Sequence, residues 1–324
     1  MSKLEPQVFA PAPAAAGAGV PASTKPRRRY SLLNGRDKLV LTVMVGIPLA
    51  IFLVLIWGMT LVSFVLSFTD WDGVSAIRFI GIGNYTYLFS GYPDFWPAVI
   101  HNVMWLAFFV CVATPLGMLL AILLDRQLRG SSIYQSIFFT PVVLSLAIVA
   151  FIWQLQYNTQ DGFINSTLVA FGAVKQNATI DFLGDSSLNI WAVLIAASWR
   201  HVGYIMVLYL AGLKSVDPSL REAAAIDGAN ERQTFLHVVF PVMAPINVVI
   251  VVVTVIESLR AFDIAYIMNG GINGLQLLST LIVNNMLSEA QLIGFGSAIA
   301  VVLLTISLVP IVLYLSRVMR SEDQ

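Results

Sequence analysis

Residues 221–245 read REAAAIDGANERQTFLHVVFPVMAP, a polar stretch set between two long apolar runs. Its opening Glu222, Ala223 and Ala224 include strong helix formers, which predicts a short helix over 219–226. Pro218 sits at the start of that helix, where a missing N–H costs nothing. Gly228 stops it, because glycine tolerates the left-handed backbone that a sharp reversal needs. A second short helix is predicted over 230–239, with Asn230 or Asp227 as its cap, ending before Pro241. Pro241 is then expected to start the next apolar run. Two short helices joined at a glycine make a docking element, and the stretch carries no catalytic pattern.

The rest of the chain is oily. Of 324 residues, 58% are hydrophobic and only 11% charged, with a mean hydropathy of +0.81. Soluble domains carry roughly 25% charge, so this composition points to a polytopic membrane protein. Six apolar runs, 39–68, 100–124, 133–155, 188–213, 242–262 and 293–316, are near or above the ~20 residues that a bilayer needs. Backbone groups in lipid must bond internally, so these runs are expected to be helices. A net charge of zero gives no nucleic-acid signature, and the single Cys111 allows no internal disulfide.

Lys and Arg set the orientation. With the N-terminus inside, fourteen of them, from Lys3 and the Arg27–Arg29 cluster to Arg317 and Arg320, fall on the cytoplasmic side. Only four, Arg78, Lys175, Arg200 and Arg260, fall outside. That bias places both termini and the 221–245 loop in the cytoplasm. Residues 1–38, rich in Pro and Ala and then basic, read as a disordered tail. The first apolar run begins too late and is too long for a secretory signal.

Absent motifs bound the chemistry. There is no G-x-x-x-x-G-K-[ST], H-E-x-x-H or G-x-S-x-G, and His101, His201 and His237 are scattered. The chain is therefore expected to be no enzyme and to hold no cofactor or metal of its own. Polar groups near the spans are the candidates for a substrate path. Glu257 and Arg260 lie three apart on one helix face, where they either satisfy each other or line a path. Trp199, Arg200, His201 and Tyr204 form a second cluster, Asn284 and Asn285 a third. Trp153, Gln154 and Gln156 add the stacking and hydrogen-bonding groups that suit a sugar. Small residues four apart, Gly294/Ala298 and Gly296/Ala300, suit close helix packing, within the chain or against a partner.

The pattern Glu-Ala-Ala, Asp-Gly-Ala and Phe240-Pro241 resembles the cytoplasmic coupling loop of ABC-importer permeases, in particular the maltose/glycerol-phosphate group that takes up carbohydrates. Two external segments add to the likeness: Phe79-Ile80-Gly81-Ile82-Gly83-Asn84-Tyr85, and Asp161-Gly162-Phe163-Ile164-Asn165. A third, Asn269-Gly270-Gly271-Ile272, departs from the family's Gly-Gly-Pro at Ile272. In overall look, with its long Ala-Pro tail, the chain also resembles alginate-oligosaccharide importer permeases.

The resemblance implies an all-α integral membrane fold of the type I ABC importer permease. Six transmembrane helices would fill a permease domain over 39–320, with a two-helix coupling loop over 214–241 and a cytoplasmic C-terminus at 321–324. It implies a multi-pass protein of the bacterial inner membrane. The partners would be a second homologous permease, two ABC ATPase subunits that bind ATP and Mg, and an extracytoplasmic solute-binding protein. The solute would be a carbohydrate, an oligosaccharide in preference to a simple ion. Glu222 would pair with a basic residue in a cleft of the ATPase, with Ala223 and Ala224 letting the helix seat closely. Asp227, Gly228 and Pro241 would shape the loop. The alternative is a secondary transporter or channel driven by an ion gradient. That would call for a carboxylate at the membrane centre or repeated halves; Glu257 is off-centre and no repeat is visible.

Overall fold

The computed structural model describes residues 34–126, 129–175, 177–287 and 291–322. It divides into two compact units, one ending at Leu55 and one beginning at Ile56. The basic cluster of the tail lies outside the described residues. Among the described residues the fold is helical, with one isolated antiparallel bridge between Thr69 and Phe79.

The first apolar helix, α1 (Gly35–Leu66), starts inside the stretch expected to be disordered. The reason is a capping box: the Asn34 side chain accepts from Gly35 N–H at 2.7 Å, and Asp37 reaches back to Asn34 N–H at 3.0 Å. None of its apolar window is buried, as suits a helix facing lipid. A short outer helix, α2 (Gly83–Ser90), follows. The second span is α3 (Phe95–Asp125), which carries a π-helical turn at Phe109–Ala113.

The third apolar run is not one straight helix. It folds as α4 (Ser131–Val143) and α5 (Leu146–Gln156), bent by 101°. Pro141 interrupts the backbone bonding near the end of α4, Leu144 and Ser145 turn extended, and the Ser145 hydroxyl caps α5 at Ile148 N–H. A short helix α6 (Phe163–Ala170) leads to α7 (Asn189–Ser215), the most buried span, with 56% of its apolar window inside the protein.

The loop helices are α8 (Pro218–Ile226) and α9 (Glu231–Val242). The fifth run forms α10 (Ala244–Leu259), which α11 (Asp263–Asn269) continues after a short break. Taken together, α10 and α11 meet α9 at 78°. A short α12 (Leu278–Leu287) precedes the last helix, α13 (Ile293–Glu322). Among the described residues four helices are long and apolar enough to cross a membrane, or up to six where each bent pair, α4 with α5 and α9 with α10–α11, counts as one span.

The core is held in layers along α7. Its outer half packs Val193, Leu194 and Ala196 with Trp105 and Phe109 of α3. Its inner half packs Ile205, Met206 and Leu213 with Ala121 and Leu124. The α3–α7 approach is close at Gly117, where a Cβ would lie 2.8 Å from Ile205 and 2.9 Å from the Val202 carbonyl oxygen. The small residues of α13 also pack within the chain: a Cβ on Gly294 would meet the Thr69 carbonyl oxygen at 2.0 Å.

Buried asparagines tie the external segments down. Asn84 donates to the carbonyls of Ser67 and Thr69, and the Tyr85 hydroxyl meets Ser67 at 2.7 Å. Asn165 bonds Asn158 and Ile180, and Asn189 donates to the Asn273 carbonyl. The third segment closes without the family's proline: Gly270, Gly271, Asn273 and Gly274 all take positive φ, and Ile272 is exposed between them.

Candidate functional site

The loop between α7 and α10 is built from local caps. Asp217 accepts from Ser219 N–H at 2.9 Å, Pro218 opens α8, and the resulting hydrogen bonds hold the Asp217 carboxyl below its usual range. The helix ends in a Schellman motif. Gly228 N–H bonds the Ala225 carbonyl and Ala229 N–H bonds that of Ala224, with Gly228 at φ +81°. Asn230 then caps α9, its side chain accepting from Gln233 N–H while Gln233 reaches back to Asn230 N–H.

Two expectations are corrected here. Asp227 is the C-terminal cap of α8 and does not cap the second helix, a role filled by Asn230. Pro241 does not start the fifth span. It lies in the last turn of α9, which runs on past 239 through a π-helical turn at Phe235–Val239. The span begins at Ala244 after a break at Met243, and Pro245 occupies its first turn.

Of the Glu-Ala-Ala triplet, Ala224 faces inward and is buried, whereas Glu222 and Ala223 are exposed. Ile226, at the end of α8, is 86% exposed, a large apolar side chain with no cover from its own chain. The loop is bound to the bundle by two ion pairs that sequence reading missed. Arg221 meets Asp125 at 2.9 Å and donates to the Leu213 carbonyl at 3.2 Å; Arg126 meets Glu231 at 2.6 Å. Arg221 and Asp125 are 96 residues apart, so no local pattern betrays them.

At the end of the bundle away from the 221–245 loop, called outer from the expected orientation, a cavity of about 70 Å³ brings together two clusters that the sequence kept separate. Arg200 and His201 from α7 meet Glu257 and Arg260 across it, walled by Trp105, Phe109 and Phe262. The salt bridge here joins Glu257 to Arg200, at 3.8 Å, and not to Arg260. Arg260 is the C-terminal cap of α10, and of the two alternatives for the pair it takes the cavity lining. His201 stacks on Phe109 with ring centres 4.3 Å apart and lies 3.4 Å from the Thr254 hydroxyl. Trp105 Nε1 and Arg200 Nε are buried without a hydrogen-bond partner among the described residues.

Trp153 and Trp199 meet edge-to-face at 6.0 Å and line a neighbouring apolar pocket of about 360 Å³ with Gln156 and Phe163. The remaining candidates lie elsewhere. Gln154 is exposed, Tyr204 packs with the inner core cluster, and Asn284 sits half-buried on α12. Asn285 donates to the Tyr92 hydroxyl at 3.0 Å.

Residues 113–321 match the family of binding-protein-dependent transport system inner membrane components. The chain belongs to this family. The permease is 32% identical over 267 residues to a xylose/arabinose import permease protein of Haloferax volcanii, covering 81% of this chain and 83% of that one. It is also 32% identical over 321 residues to a diacetylchitobiose uptake system permease protein of Streptomyces coelicolor, covering 92% and 85%. Its fold matches a chain of a bacterial ABC transporter involved in the import of the acidic polysaccharide alginate. That match has a TM-score of 0.75 at 20% identity and covers 88% of this chain and 96% of that one. At that identity the likeness speaks for the fold alone, the type I ABC importer permease arrangement expected from sequence.

Proposed function

We propose that this permease imports a carbohydrate, an oligosaccharide in preference to a simple ion, delivered by an extracytoplasmic solute-binding protein. It works beside a second similar permease, and two separate ATPase subunits that bind ATP and Mg dock on the cytoplasmic loop. The observation that carries this reading is α8, a capped helix presenting Glu222, Ala223 and Ile226 to solvent while its roots are tied by ion pairs. Small side chains let a partner groove close on the helix, and Glu222 offers a charge for a basic residue in that groove. The uptake substrates in the relatives' names, pentoses and diacetylchitobiose, support a sugar for this chain too.

The outer cavity, at about 70 Å³, is too small to enclose a sugar as it stands, but its lining offers groups that suit one once the bundle opens. Arg200, Glu257 and Arg260 offer donors and an acceptor to hydroxyls, and Trp105 and Phe109 supply flat apolar walls. The adjoining Trp153–Trp199 pocket adds stacking surface. Closure of the ATPase pair on ATP would push on α8 and swing the bundle outward to receive solute. Reopening after hydrolysis would release it inward. The excess of Lys and Arg on one side supports a cytoplasmic loop and cytoplasmic termini in a bacterial inner membrane.

The test compares the parent with Glu222→Lys in the complex isolated from its own cells. The expected result is that an ATPase subunit co-purifies with the parent and that the charge reversal strips it away or uncouples hydrolysis from uptake. Solute transport unchanged by Glu222→Lys, with no ATPase bound to either protein, overturns the proposal.

A further inference from the structure

Resting on that reading, we infer that the Arg221–Asp125 pair is the joint through which movement of α8 reaches α3 and α7 and, along them, the outer cavity. One guanidinium gathers three elements. Arg221 belongs to α8, its Nη1 donates to Asp125 at the end of α3 at 2.9 Å, and its Nη2 donates to the Leu213 carbonyl at the end of α7 at 3.2 Å. The planar fork of arginine makes the two bonds from separate nitrogens held in fixed geometry, which the single nitrogen of a lysine does not reproduce.

A cavity of about 300 Å³ lies between the loop and the bundle here, walled by Asp125, Arg221, Glu231, Phe235 and Val239. Across that space the pair bridges α8 to α3. The second pair, Arg126–Glu231, has side chains 57% and 82% exposed, and exposed pairs transmit little. Arg221 and Asp125 are only 38% and 18% exposed, so their charge-assisted bonds are less screened.

Beyond the joint, α3 and α7 are in backbone-close contact at Gly117 and share the core of Leu124, Ile205, Met206 and Leu213, so they move together. From Asp125 to Trp105 is about 30 Å of helix at 1.5 Å per residue. There Trp105 and Phe109 of α3 face Arg200 and His201 of α7 across the outer cavity. A push at α8 thus arrives where solute would be held. Arg221 and Asp125 are positioning residues in this scheme and touch neither ATP nor solute.

The experiment uses the whole transporter in proteoliposomes and reads solute imported per ATP hydrolysed. Arg221→Ala and Asp125→Ala each keep the ATPase subunit bound and hydrolysing, while solute per ATP falls about tenfold, within the usual range for one coupling contact. The exchanged double variant, Arg221→Asp with Asp125→Arg, restores the α8–α3 ion pair but not the bond to the Leu213 carbonyl, and recovers part of the parental ratio, above either alanine variant. Arg221→Lys, which keeps the charge and loses the fork, lies between parent and alanine. Size-exclusion profiles check that each complex is assembled, and Arg221→Lys carries the test if an alanine variant fails to assemble. A parental ratio in the alanine variants, or in Arg221→Lys if it alone assembles, overturns the proposal, as does an assembled exchange variant no better than the single ones. If no ATPase accompanies even the parent, the permease reading itself fails and this inference with it.

Discussion

Replacing Gly228 by alanine isolates the cost of the turn between α8 and α9. Gly228 sits at φ +81°, and a Cβ built there meets nothing within 4 Å. The penalty is therefore conformational and not steric. An L-residue in the left-handed region pays about 1–2 kcal/mol. Against that, alanine narrows the unfolded chain and regains about 0.4–1 kcal/mol. The net loss is about 1 kcal/mol, which makes local opening of the loop about fivefold more frequent. Hydrogen exchange read by mass spectrometry on peptides covering 223–234, in the assembled transporter, measures it directly. The Ala229 and Gly228 amides of the Schellman motif should exchange about fivefold faster in Gly228→Ala, and Gly228→Asn should fall between the two, because asparagine tolerates this conformation. Exchange in Gly228→Ala equal to the parent, or Asn worse than Ala, would refute the reasoning.

Three further outcomes follow from the geometry. Gly203→Ala places a Cβ 2.2 Å from the Phe138 carbonyl oxygen, so α4 must back away from α7. Overpacking of this kind costs about 1–3 kcal/mol, and thermal unfolding of the purified complex should show a lower midpoint. Asn165→Leu strands the N–H and carbonyl of Ile180 in a site where Asn165 is 1% exposed, while the Asn158 carbonyl keeps the Gly162 N–H. On the order of 3 kcal/mol is lost, with early proteolysis of the 156–188 segment as the readout. The Asp72 carboxyl accepts from the Ser75 and Val74 amides and the Ser75 hydroxyl, which lower its pKa from 3.8 to about 2. A depressed folded value means the turn gains from the carboxylate above the unfolded pKa and loses that gain as pH falls through about 2. Aspartate-labelled carbon NMR should therefore find Asp72 still ionised at pH 3.

The sequence revealed most of the fold because membrane helices are written in long apolar runs, and lipid allows few other structures. It placed α8 and Gly228 closely, since proline, helix formers and glycine act within a few residues. It erred where local signals compete. Asn230 outbid Asp227 as cap because Gln233 completes a reciprocal pair with it. Pro241 is tolerated inside α9 because the π-helical turn before it shifts the backbone bonding. The 101° bend between α4 and α5 was hidden because Leu144 and Ser145 interrupt the run without interrupting its hydropathy. The outer cavity was legible only as scattered polar residues. Arg200 meets Glu257 because α7 and α10 pack, and pairing across 57 positions leaves no trace in spacing. Arg221–Asp125 was hidden for the same reason.

The most direct test of the account is uptake into proteoliposomes holding the whole transporter, with ATP supplied at the loop side and all ion gradients collapsed. The account predicts that labelled oligosaccharide, presented with its binding protein on the opposite side, accumulates only when ATP is present. Accumulation that needs a proton or sodium gradient and ignores ATP would contradict it.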